Sequence, residues 1–125
     1  MSFKLLMLIK AAVCMVLGAI ILVAPEFLYS IFGTTLAAGG VFAAREYGAS
    51  LFGNMLVTWF ARKATASAAR KAIILGLCVY DAIGFIVTLI ATITGVLNPL
   101  GWLVVVLYLF FAIAFGYYYM KPPKP

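Results

Sequence analysis

Residues 100–120 run through Trp102, Val104, Phe110 and Phe115 to Met120 without one charged side chain. Residues 72–95 are interrupted only by Asp81, and residues 5–24 only by Lys10. Such runs constrain the fold more than any motif does. A helix needs about 20 mostly apolar residues to cross a bilayer core, whereas a spanning barrel would alternate in strands of about ten. Backbone groups in lipid must bond within their own segment or close a barrel, so unbroken apolar runs read as helices.

Composition agrees. The chain has 125 residues, 67% hydrophobic and 10% charged, with mean hydropathy +1.21. Nine basic and three acidic side chains cannot cover a water-soluble domain of this size. The expectation is one all-α integral membrane domain, a bundle of four transmembrane helices at about residues 5–24, 41–61, 72–95 and 100–120. Residues 5–24 resemble a signal peptide, but Leu22 and Pro25 around Ala24 make a poor cleavage site, so an uncleaved span is expected. Lys10 is expected to snorkel to the interface.

Between the first two spans, Pro25 suits the first turn of a helix and Gly33 its end. Phe27, Leu28, Ile31 and Phe32 share one face, which predicts a short interfacial helix at about residues 25–32 with Tyr29 at headgroup level. Trp59 marks the inner interface of the second span, and Tyr117, Tyr118 and Tyr119 form an aromatic anchor before the tail. Asn98-Pro99 predicts a tight turn, and A-T-A-S-A-A after Lys63 a small-residue loop. The tail at residues 121–125, K-P-P-K-P, reads as disordered.

Charge sets the expected orientation. In a four-span arrangement Lys4, Lys10, Arg62, Lys63, Arg70, Lys71, Lys121 and Lys124 share one side, and only Arg45 is left over. The connections around residues 25–40 and 96–99 carry no Lys or Arg. The positive-inside rule then makes both termini cytoplasmic in a plasma membrane. A net charge of +6 here reflects topology, because no basic stripe alternates with aromatics as nucleic-acid binding would need. Anionic lipids on that side are attracted by about 1 kcal/mol per cation near the surface.

The chain has no histidine, and Cys14 and Cys78 form no C-x-x-C, so neither a transition-metal site nor a disulfide framework nor a cofactor is expected. Helices in lipid associate through small residues and hydrogen bonds. Small-xxx-small pairs occur at Ala44/Gly48, Ala49/Gly53 and Ala112/Gly116, while Gly76 and Gly84 flank Tyr80.

Asp81 lies about 15 Å into its span at 1.5 Å per residue, followed on its face by Gly84, Thr88, Thr92 and Gly95. A carboxylate at that depth costs about 2.5–3.5 kcal/mol and should face the protein interior. Asn54, about 12 Å deep, and Tyr108, about 18 Å deep, are candidates to meet it. Asp81 reads either as protonated glue between helices or as a proton or ligand site. Arg45 and Glu46 stand at the outer end of the second span, about 100° apart around the helix, with Glu26 a partner for Arg45 by depth. They read either as an outer-leaflet ion pair or as an anion or headgroup site.

The string A-R-x-x-G-x-x-L-x-x-x-x-L-x-x-W-x-A-R at residues 44–62, R-K-A-I-I from Arg70, D-A-I-G from Asp81 and G-V-L-N-P-L-G-W up to Trp102 resemble a group of small four-helix bacterial membrane proteins, loosely DoxX-like. The resemblance implies a bacterial-type plasma membrane location and a four-helix fold, and it carries no activity or catalytic residue. Small multidrug resistance transporters fit less well, since their essential acid lies in the first span. Four-helix quinone-linked disulfide enzymes need paired cysteines. The function expected is a non-enzymatic structural or assembly role, as a homo-oligomer or an accessory subunit of a larger membrane complex. The alternative is a small transporter, channel or lipid-binding protein using Asp81, Arg45 and Glu46. No nucleophile–base pair supports an enzyme.

Overall fold

In the computed structural model, which describes residues 1–121, five helices follow one another. They are α1 (Phe3–Val23), α2 (Pro25–Ile31), α3 (Ala38–Ala61), α4 (Ala68–Ile93) and α5 (Gly101–Met120). The chain divides into two units, Met1–Arg62 and Lys63–Pro125. Of the tail expected to be disordered, only Lys121 is described, as the cap of α5; residues 122–125 lie outside the described residues.

The ends follow local chemistry. Ser2 caps α1, its hydroxyl accepting from the Leu5 N–H at 3.1 Å. Pro25 excludes the residue before it from helical geometry, and Ala24 accordingly turns to φ −142°, ψ 65°, breaking α1 from α2. Gly33 closes α2 at φ +77°: its N–H donates to the Ser30 carbonyl and the Thr34 N–H to that of Tyr29, a Schellman motif. Burial raises the pKa of the Tyr29 phenol above its ordinary value. In the second unit Ser67 caps α4, accepting from the Arg70 N–H at 3.1 Å. The small-residue segment expected as loop therefore ends in helix, with Arg70 and Lys71 in the first turn. Between α4 and α5 the Asn98 side-chain oxygen accepts from the Leu100 N–H at 3.1 Å, shaping the Asn-Pro turn.

The four-transmembrane bundle is corrected by the structure. Among the described residues three helices, α1, α4 and α5, are long and apolar enough to cross a membrane. α3 has the length but not the composition: Gly39, Gly40, Arg45, Glu46, Gly48, Ser50, Gly53 and Asn54 dilute its apolar content. Lys10 also departs from expectation. It is 3% exposed, on the buried stripe of Met7, Ala11 and Cys14, because the helical repeat turns it inward.

In the first unit α3 packs antiparallel on α1 at two glycines. A Cβ at Gly18 would lie 3.2 Å from the Gly48 carbonyl oxygen and 3.2 Å from Leu51 Cβ. A Cβ at Gly48 would lie 3.0 Å from Leu22 Cγ and 3.2 Å from Ile21 Cγ2. Backbones approach this closely only without side chains between them. Gly48→Leu is expected to force α1 and α3 apart, destabilising the unit by about 1–3 kcal/mol through overpacking. A denaturant titration of the reconstituted protein measures the loss, and unchanged stability would contradict the close approach.

Candidate functional site

Asp81 is fully buried on α4. The hairpin of α4 and α5 runs antiparallel around it, as three contacts show. The Cys78 thiol donates to the Ala112 carbonyl at 3.4 Å. The Tyr108 ring lies over Gly84, where a Cβ would meet its Cδ1 and Cζ at 2.7 Å. Near the turn, a Cβ at Gly101 would stand 3.2 Å from Thr92 Cγ2. Tyr80 and Tyr108 form a tilted ring pair, centroids 6.2 Å apart at 59°. Two phenols and one carboxyl thus belong to neighbouring turns of a single hairpin.

Two threonine hydroxyls beyond Asp81, Thr92 on its stripe and Thr94 beside it, bond back to their own helix. Thr92 donates to the Thr88 carbonyl at 2.8 Å, and Thr94 to that of Ile90 at 2.7 Å. Such back-bonding satisfies each hydroxyl's donor locally. Asn54 belongs to the first unit, where its backbone carbonyl accepts from Thr58 at 2.9 Å. Of the three residues expected to converge, Asp81 and Tyr108 share the second unit.

Arg45, Glu46 and Glu26 are all exposed. Glu26 sits in the first turn of α2, where a carboxylate suits the helix dipole. No ion pair joins the three among the described residues. Arg45 and Glu46 project from the outer side of α3, away from the buried line of Ala44, Gly48, Leu51 and Thr58.

The cationic ends are built differently. The Arg62 guanidinium lies 3.9 Å over the Trp59 ring and donates to the Trp59 carbonyl. Lys71 Nζ stands 5.1 Å from the centre of the Tyr119 ring. Arg70, only 6% exposed, and Lys71 occupy the N-terminal turn of α4, against the helix dipole. They border a cleft of about 70 Å³ with Ser67, Ile74, Tyr118 and Tyr119. Among the described residues no three His, Cys, Asp or Glu side chains gather to hold a metal.

No protein family, curated protein or solved structure matches this chain. The DoxX-like resemblance therefore rests on the quoted motifs alone.

Sequence reasoning missed Gly18 and the inward direction of Lys10. Ala11, Cys14 and Gly18 at spacings of three and four were the available signal for the first. Gly84→Ala is expected to displace the Tyr108 ring and destabilise the α4–α5 hairpin by about 1–3 kcal/mol. Tyrosine fluorescence and thermal unfolding report the change; an unmoved ring environment would refute the contact.

Proposed function

We propose that this chain is a non-enzymatic integral membrane protein with a structural role in a membrane assembly. The observation that carries the reading is the outer face of α3. A helix lying along the apolar α1 exposes Arg45, Glu46, Ala49, Ser50 and Gly53. Lipid solvates such a face poorly: charges cost about 2.5–3.5 kcal/mol at the bilayer centre and less towards its edges. A protein surface covers it better, either a second copy or another chain of a larger complex.

The proposed location is a bacterial-type plasma membrane with both termini cytoplasmic; α1, α4 and α5 are the helices long and apolar enough to cross it. Three apolar helices taken alone would leave the termini on opposite faces. However, α3 runs back along α1 and returns the chain towards the end that carries Lys4. In the second unit Arg70, Lys71 and Lys121 share the other cationic end, while the α4–α5 turn has no Lys or Arg. The positive-inside rule favours the cytoplasm for both ends.

The complete burial of Asp81 supports a second reading, a small transporter or channel working through a titrating carboxyl. In the structural role Asp81→Asn keeps the fold and the assembly, since an amide still hydrogen-bonds. In the transport role the same variant abolishes a pH-dependent flux into proteoliposomes.

Extraction in a mild detergent is expected to bring the protein out in a particle larger than one chain, measured by light scattering. A lone monomer under every mild condition would refute the assembly role. Reporter tags fused to the two ends should both report from the cytoplasm, and tags on opposite faces would overturn the orientation.

A further inference from the structure

Arg45 and Glu46 are exposed neighbours of opposite sign on α3, about 100° apart around its axis. The midline between them follows the outward face through Phe42, Ala49, Leu56 and Phe60, all exposed. Gly53 stands one turn from Ala49, and a Cβ there would meet nothing within 4 Å. We propose that this face is the contact between two copies of the chain, with Arg45 of each copy paired to Glu46 of the other. The inference rests on the assembly reading and names its partner.

Symmetry is what selects a second copy. Copies inserted in one orientation are related by a two-fold axis along the membrane normal, so their α3 helices lie parallel. Equivalent residues then stand at one level, and Arg45 and Glu46 differ in height by only about 1.5 Å. With the seam on their midline, Arg45 occupies one flank of α3 and Glu46 the other. The two-fold sets each Arg45 flank against the Glu46 flank of the other copy, so two Arg45–Glu46 pairs form in an isologous contact. A different protein would have to present an acid and a base in the matching places, whereas a second copy does so by construction. Ala49 and Gly53 leave room for the backbones to approach, and Phe42, Leu56 and Phe60 supply packing beside them.

The test uses the full-length chain in liposomes, diluted in lipid, with dimerisation read by single-molecule photobleaching. Wild type is expected to dimerise. Arg45→Glu and Glu46→Arg should each weaken the dimer at least about tenfold, because each sets like charges opposite one another. The double swap R45E/E46R should restore wild-type affinity to within about threefold, since the pairs re-form with reversed sign. Ala49→Cys should cross-link on oxidation, while the wild-type chain, with Cys14 buried and Cys78 half-buried, should not.

Single swaps that leave the dimer unchanged would overturn the proposal. So would a double swap that keeps its helicity by circular dichroism yet fails to restore dimers. If a charge swap does not fold, Arg45→Gln and Glu46→Gln replace it, and retention of full affinity by both counts against the pairing. Recovery with other polypeptides but never with a second copy sinks this inference and leaves the assembly reading standing; a lone monomer throughout ends both.

Discussion

The meeting of two bare backbones at Gly18 and Gly48 is the contact on which the first unit depends. Lipid tails are as apolar as leucine, so two helices gain little by burying apolar side chains against each other. What remains is dispersion at short range, and that requires the side chains to be absent where the helices cross. The second unit uses the same device with an aromatic guest, Tyr108 lying in the space that Gly84 leaves open. A cross-helix hydrogen bond from the Cys78 thiol to the Ala112 carbonyl is weak by itself and sits beside another small residue, Gly116.

The same principle explains why α3 is the informative helix. Its small and polar residues suit close packing on α1 but disqualify it as a helix that lipid alone can solvate. One face is satisfied by α1. The opposite face keeps charge and small residues outward, and a functional reading has to account for that. The proposed association does so, because it needs what this face offers: complementary charge at one level and room for close approach.

Charge at the other ends obeys a different rule. Arg70 and Lys71 lie where the helix dipole disfavours cations by about 0.3–1 kcal/mol each. The ring of Tyr119 beneath Lys71 offsets part of this through a cation–π contact. Cations kept at an unfavourable helix terminus are consistent with orientation in the membrane outranking local helix preference.

The amino-acid sequence by itself determined the helical class and the local breaks. Long apolar runs made the chain helical, with three helices long and apolar enough to cross a membrane, Pro25 and Gly33 bounded α2, and Asn98-Pro99 shaped the last turn, because each effect acts within a few residues. It misled where length stood in for composition: α3 is long enough to span but too polar. It also misled where Arg70 and Lys71 were taken for a loop edge, although the helix that Ser67 caps begins before them. Only the tertiary structure decided which faces meet. That Gly18 would lie against Gly48, that Ala44/Gly48 would be covered while Ala49/Gly53 stayed open, and that Lys10 would turn inward all depend on the register between segments distant in the chain. That register is set by the fit of two surfaces together, and neither surface carries it alone.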